Sequence, residues 1–126
     1  MKEEAREWVE KAEGDYMVAL REFRVRKTPC YDAVCFHAQQ CIEKYLKAAL
    51  TKNGLAVKKI HDLVPIMQGL LSVYPFWTAM APDLETLAQY AIKFRYPGES
   101  ANREKARRAV DAMKRCRKEI RIGLGF

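Results

Sequence analysis

The most informative segment of this chain runs Phe36-His37-Ala38-Gln39-Gln40-Cys41-Ile42-Glu43-Lys44-Tyr45-Leu46-Lys47-Ala48-Ala49-Leu50. Apolar side chains recur within it and just before it at intervals of three and four residues, which places them on one side of a helix. These positions are Val34, Ala38, Cys41, Ile42, Tyr45, Leu46 and Ala49. The segment is therefore predicted to be a helix that turns this side toward a hydrophobic core.

The opposite side of the same helix carries a polar stripe in place of an ordinary mixture of Lys and Glu. The stripe consists of His37, Gln40, Lys44 and Lys47. Gln39 and Glu43 flank it on one edge, and Phe36 lies in the same sector. Imidazole and amide groups both donate and accept hydrogen bonds, so we expect another helix, a second subunit or a ligand to cover this face. Lys47 is expected to be solvated.

The remaining pattern predicts an all-α fold in a single domain, 1–126. Helical periodicity and the Pro and Gly positions give predicted helices at about 3–26, 31–52, 63–73, 82–95 and 103–122. Asp62 is the predicted N-cap of the third helix, Ser100 or Asn102 caps the fifth, and residues 123–126 are expected to fray. Long helices joined by short connections favour an antiparallel up-and-down bundle of four long helices plus one short helix.

The charge and the cysteines narrow the range of functions. The net charge is +7, and residues 101–126 hold nine basic against three acidic residues, a balance of +6. Such an excess suits nucleic acid, an acidic partner or a solvated face.

The four cysteines form no C-x-x-C pair, so we expect buried free thiols and no metal site. No apolar run approaches the ~20 residues of a membrane span, and the charged N-terminus does not resemble a signal peptide, so a cytoplasmic location is predicted.

Four segments together resemble the HEPN domain, a small helical domain often encoded beside minimal nucleotidyltransferases. They are Trp8-Val9-Glu10-Lys11-Ala12-Glu13-Gly14-Asp15, the segment from Phe36 to Ala48, His61-Asp62-Leu63, and Tyr90-Ala91-Ile92-Lys93-Phe94-Arg95-Tyr96-Pro97-Gly98. The resemblance implies a helical bundle that is commonly a homodimer. It also implies one of two roles: holding a nucleotide or small substrate for a nucleotidyltransferase, or acting as a metal-independent ribonuclease toxin.

The sequence departs from the ribonuclease pattern of the family, which is an Arg followed after four to six residues by a His. Arg95 stands at the right place, but no His occurs after His61. Cleavage through the 2′-hydroxyl needs a proton acceptor and a proton donor, and imidazole suits both roles because it titrates near neutral pH. Arg alone stabilises phosphorane charge but is essentially always protonated. The missing His argues against a nuclease.

The candidate site residues each allow a structural and a functional interpretation. Arg95 either complements the dipole at a helix C-terminus or clamps a phosphate with its guanidinium. His37 is either a hydrogen-bonded structural histidine or a pocket residue that replaces the lost base. Gln40 and Lys44 either form a polar network between helices or subunits, or contact a nucleobase edge and a phosphate. Asp15 either pairs with a Lys or Arg across the bundle or orients Arg95.

His61 is expected to serve with Asp62 in the cap of the third helix.

The sequence leaves three functions open. The favoured one is a non-catalytic nucleotide-binding or substrate-binding module, which acts with a separate nucleotidyltransferase in a toxin–antitoxin-like pair. Its site would be a cleft where the polar stripe meets the end of the fourth helix, with a bound nucleotide but no other cofactor. The alternatives are a ribonuclease that acts on RNA through Arg95 and His37, and a purely structural homodimer with the stripe as its seam.

Overall fold

A computed structural model describes residues 1–57 and 59–126 as five α-helices and one 3₁₀ helix. The α-helices are α1 (Glu3–Arg24), α2 (Tyr31–Lys52), α3 (Leu63–Gln68), α4 (Ala81–Lys93) and α5 (Arg103–Leu124), and the 3₁₀ helix is Pro75–Met80. These residues contain no strand, which confirms the all-α class. Within them, no helix combines the length and apolar character needed to cross a membrane.

Helix α2 is the central element of the bundle, because it contacts each of the other four α-helices. Every apolar position that the sequence placed on its inner side is fully buried; these are Val34, Ala38, Cys41, Ile42, Tyr45, Leu46 and Ala49. They join one continuous core with apolar residues from all the other helices. The helix ends as predicted near Asn53, where Gly54 adopts a positive φ of 68°, a conformation that glycine reaches at no steric cost.

A polar cluster fastens α1 and α2 to α5 across the bundle. The carboxylate of Glu13 accepts two hydrogen bonds from the Arg117 guanidinium, at 2.8 and 2.6 Å, and one from the Tyr45 hydroxyl at 2.8 Å. Arg121 donates to the same hydroxyl at 2.9 Å. Burial, which outweighs the bond from Arg121, raises the pKa of Tyr45 to about 12, so the phenol stays neutral and donates to Glu13.

The third predicted helix is shorter than expected, and the segment after it holds a 3₁₀ helix that the periodicity did not indicate. Helix α3 ends at Gln68, and the chain passes through turns to the 3₁₀ helix. The physical reason lies in the apolar side chains, since this path buries Leu70 and Trp77 in the core. It also stacks the rings of Tyr74 and Trp77 at a centroid distance of 3.9 Å.

Smaller corrections concern the helix ends and the cysteines. Helix α1 ends at Arg24, before the predicted 26, and Asp62 precedes α3 without a side-chain capping bond. Asn102 does cap α5, since its Oδ1 accepts from the Lys105 N–H at 2.8 Å. The C-terminal tail is not frayed, because α5 continues to the buried Leu124. The cysteines are free, and three are buried, but Cys30 is exposed.

Candidate functional site

A cleft of about 500 Å³ opens where α2, the loop before α3 and the C-terminal half of α4 come together. Its polar lining consists of Gln39, Gln40, Glu43, His61, Asp62, Gln89 and Arg95. Phe36 and Ile92, exposed by 37% and 65%, give it an apolar side. The cleft lies where the polar stripe of α2 meets the end of α4, and its size falls within the usual range for small-molecule sites.

The floor of the cleft is organised around the carboxylate of Glu43, whose side chain is only 5% exposed. It accepts hydrogen bonds from Gln39 Nε2 at 3.0 Å, Lys47 Nζ at 2.9 Å and His61 Nδ1 at 3.1 Å. Burial raises the pKa of this carboxyl, but the three hydrogen bonds together outweigh burial and hold the pKa below its usual value. Glu43 is therefore a charged acceptor at neutral pH.

The two glutamines extend this network toward the open side of the cleft. Gln40 donates from Nε2 to Gln39 Oε1 at 2.9 Å, and Gln39 Nε2 also reaches the His61 carbonyl oxygen at 3.4 Å. In the described residues, the side-chain oxygen of Gln40 has no hydrogen-bond partner, so it can accept one from a ligand. Gln40 thus presents an acceptor whose orientation is fixed by the neighbouring amide.

Arg95 lies just beyond the C-terminus of α4 and brings a positive charge to the cleft. Its guanidinium carbon stands 5.9 Å from the centre of the Phe36 ring, within the range of a cation–π contact. Among the described residues, no carboxylate lies within 4 Å of this guanidinium, whereas Glu99 pairs with Lys93 at 3.8 Å. The planar donors of Arg95 are therefore available to an anion such as phosphate.

The structure places the other predicted site residues in a separate cluster between α1 and α2. Asp15, with a side chain 10% exposed, accepts from His37 Nδ1 at 2.7 Å and from Lys44 Nζ at 2.6 Å. Asp15 therefore pairs across the bundle, and its contacts are with these two residues and not with Arg95. None of the three lines the cleft. Phe36 stands between the clusters, since its ring also meets the His37 ring edge to face at 5.3 Å.

Two predictions for single residues, Lys47 and His61, are wrong. Lys47 was expected to be solvated, but it is buried against Glu43 and lies 5.5 Å from the centre of the Trp8 ring. His61 was expected in the cap of the third helix, but its ring binds Glu43. The spacing of four residues between Glu43 and Lys47 could have indicated their ion pair. Nothing in the sequence paired His61 with Glu43, because their contact spans a turn of the chain.

Four of the nine basic residues of α5 form ion pairs within the molecule, and one of them, Arg121, lies 3.7 Å from Glu13. Arg117 pairs with Glu13, Arg115 makes a two-bond pair with Asp83, and Arg108 lies 3.4 Å from Glu104. The cations of α5 that remain outside such pairs in the described structure are Arg103, Lys105, Arg107, Lys114 and Lys118. Part of the charge excess therefore has a structural use, and five cations of α5 stay outside ion pairs in the described residues.

Neither the cysteines nor a metal cluster offers an alternative site in the described residues. Burial raises the pKa of the Cys35 and Cys116 thiols to about 12, and the pKa of Cys41 is raised for the same reason. These three are neutral thiols at physiological pH and hence poor nucleophiles. Within 1–57 and 59–126, no three His, Cys, Asp or Glu side chains are grouped as metal ligands would be.

Comparison with known proteins identifies the fold and the family of this chain. The crystal structure of TT1696 from Thermus thermophilus has the same fold with a TM-score of 0.83 at 22% identity, over 97% of this chain and 99% of that one. A protein of Methanocaldococcus jannaschii named "Putative toxin MJ1304" is 28% identical over 100 residues, which cover 74% of this chain and 63% of the relative. The present chain thus spans less than two thirds of that relative's length. The model of the HEPN domain matches residues 5–122, and the chain belongs to the HEPN domain family.

Proposed function

We propose that this chain is a non-catalytic nucleotide-binding module and that the cleft between α2 and α4 is its binding site. The observation that carries this proposal is the meeting of an unpaired guanidinium, an oriented amide and an aromatic ring in one cleft, from Arg95, Gln40 and Phe36. A nucleotide presents matching groups: a phosphate for the guanidinium, a base edge for the amide and a π-face for the ring.

This proposal reassigns part of the site that the sequence suggested. Gln40 and Arg95 keep their proposed roles as contacts to a base edge and a phosphate. The cluster of His37, Lys44 and Asp15 becomes a structural support, because its hydrogen bonds are made within the protein. Phe36 contacts both His37 and Arg95, so this cluster supports the ring that the base would contact.

Titration calorimetry with AMP tests nucleotide binding in the cleft. Arg95→Ala removes the proposed phosphate clamp and should weaken AMP binding by about tenfold or more, which corresponds to about 1.4 kcal/mol. Gln40→Leu should weaken AMP binding because it removes the acceptor for the base. Arg107→Ala, which removes an exposed unpaired cation of α5, should leave the affinity unchanged. Equal losses in both arginine variants would contradict the proposal, because they would indicate a general effect of net charge.

The biological partners that we propose are a second copy of the chain and a separate minimal nucleotidyltransferase. Support comes from membership of the HEPN family and from the relative whose name calls it a toxin, so a toxin–antitoxin-like pair is the setting we favour. Light scattering should give twice the chain mass of 14.6 kDa. Mixing with a nucleotidyltransferase encoded beside the gene should give a larger species, and two unchanged masses would argue against the pair.

A second candidate function is a metal-independent ribonuclease, and one observation favours it. The imidazole of His61 lines the same cleft as Arg95, although the sequence has no His at the family's own position. His37, the residue that the sequence suggested as a replacement base, has its Nδ1 bound to Asp15. RNA cleavage without metal, abolished by both Arg95→Ala and His61→Gln, would establish a nuclease. Intact RNA with a folded protein that binds AMP would favour the binding module.

A further inference from the structure

His61 is held at the mouth of the cleft by one contact of its ring and one contact of its backbone. Its Nδ1 meets Glu43 Oε2 at 3.1 Å, and its carbonyl oxygen accepts from Gln39 Nε2 at 3.4 Å. The side chain nevertheless stays 76% exposed, whereas that of Glu43 is 5% exposed. A buried carboxylate therefore orients an exposed imidazole, which gives a surface histidine a fixed direction.

The protonation of this pair follows from the charge on Glu43. Because three hydrogen bonds keep Glu43 ionised, its carboxylate accepts and the proton of the His61 ring lies on Nδ1. The other nitrogen, Nε2, is on the far side of the ring and has no hydrogen-bond partner in the described residues. In an imidazole that carries a second proton, Nε2 is also a donor.

The charges around His61 balance one another, so the net charge of the cleft depends on whether His61 is protonated. Helix α2 contributes Glu43 and Lys47, which pair with each other at 2.9 Å and offset each other. The loop contributes Asp62, and the end of α4 contributes Arg95. With a neutral His61, the exposed charges of Asp62 and Arg95 cancel. With a protonated His61, the cleft has a net positive charge, which favours an anion with more than one negative charge.

We propose that His61, oriented by Glu43, is a phosphate ligand of the cleft together with Arg95, and that the ligand is a nucleotide ending in a phosphate monoester. This inference rests on the nucleotide binding proposed above and adds the phosphate class and a second residue to it. A phosphate monoester has a charge of about −1.5 to −2 at neutral pH, whereas a phosphodiester linkage has one negative charge. The monoester therefore matches two cationic ligands, and the carboxylate of Asp62, which lines the same cleft, would accept hydrogen bonds from ribose hydroxyls.

The experiment compares AMP with adenosine at about pH 6 and at about pH 8, because an ordinary imidazole is more protonated at the lower pH. We expect AMP to bind about tenfold more tightly at the lower pH. The ligand itself cannot cause this gain, because AMP loses negative charge as the pH falls. Adenosine should bind equally at both pH values. His61→Gln should bind AMP weakly and without the gain at the lower pH, and Glu43→Gln should reduce that gain.

The chain contains one other histidine, His37, which provides the matched control. His37→Gln should keep the gain in AMP affinity at the lower pH, since His37 does not line the cleft, whereas the affinity at both pH values falls to the extent that His37 supports the Phe36 ring. If His61→Gln binds AMP as the wild type does at both pH values, the role of His61 is wrong while nucleotide binding stands. If neither AMP nor adenosine binds, the proposed function fails and the role of His61 fails with it. AMP has no phosphodiester bond, so cleavage cannot imitate either result.

Discussion

At the scale of single residues, Glu43 links the stability of the bundle to the chemistry of the cleft. The same carboxylate forms a buried pair with Lys47 and orients His61. Withdrawing a carboxylate from water is costly unless hydrogen bonds replace the lost hydration, and here three donors do so. We infer that the buried Lys47 stabilises the charged form of Glu43. The charged carboxylate in turn keeps the proton of the His61 ring on Nδ1.

Lys47→Met tests this task, because it keeps most of the apolar stem and removes the ammonium group. We expect the free energy of unfolding to fall by roughly 3 kcal/mol, since a buried carboxylate loses its counter-charge. Urea unfolding followed by circular dichroism measures the change. Lys114→Met is the control, since Lys114 is exposed on α5, and it should change stability by less than about 0.5 kcal/mol. An equal loss of stability in Lys47→Met and Lys114→Met would show that Lys47 does not stabilise the buried charge of Glu43.

Glu13 gives a pH-dependent prediction. Chiefly because Arg117 donates two hydrogen bonds to it, the pKa of the Glu13 carboxyl lies below its usual value, despite the opposing effect of burial. A carboxyl whose pKa is lowered on folding stabilises the protein above its unfolded pKa, and this stabilisation is lost as the pH falls through the folded value. Glu13→Gln should therefore cost about 1 kcal/mol at neutral pH, a modest figure because the side chain is partly in water.

The measurement for Glu13 is urea unfolding of the wild type and Glu13→Gln at neutral and acidic pH. The stability difference between them should shrink once the pH falls below about 4, where carboxyl groups become protonated. Glu10→Gln is the control on the same helix, because Glu10 is exposed and has no ion pair in the described residues. A difference that persists unchanged at acidic pH would mean that the charge of Glu13 is not what stabilises the bundle.

At the scale of elements, the helices follow from the sequence wherever one periodic face meets the core, as in α2 and α5. The segment 69–80 does not show such a face, and its path is set by tertiary packing of Leu70 and Trp77. The prediction that the C-terminal tail frays is wrong for the same reason. Gly123 was expected to fray, but it lies within α5 directly against the Trp77 ring, a contact with no signal in the local sequence.

Two glycines in long helices are expected to respond in opposite ways to alanine. A Cβ at Gly123 would lie 2.6 Å from a ring carbon of Trp77, whereas a Cβ at Gly14 would meet nothing within 4 Å. Gly14→Ala should stabilise the protein by up to about 1 kcal/mol through helix propensity. Gly123→Ala should destabilise it by about 1–3 kcal/mol because the Trp77 stack must shift. Thermal unfolding measures both, and a higher melting temperature for Gly123→Ala would contradict the packing described here.

At the scale of the whole molecule, the cleft forms because three distant segments converge on it. The segment of α2 supplies Phe36, Gln40 and Glu43, the loop before α3 supplies His61, and the end of α4 supplies Arg95. The sequence was enough to expect a cleft between the stripe and the end of the fourth helix. It could not divide the stripe into a lining part and a supporting part, because that division depends on Asp15 of α1 capturing His37 and Lys44.

The most direct test of nucleotide binding in this cleft is an NMR titration of the ¹⁵N-labelled protein with AMP, which locates the ligand without a mutation. We expect the amide shifts to change along one side of α2 near Gln40 and Glu43, around His61 and near Arg95. The exposed face of α5, around Lys114 and Lys118, should stay unchanged. Saturable shifts centred on α5, or no shifts at AMP concentrations in the millimolar range, would contradict the account.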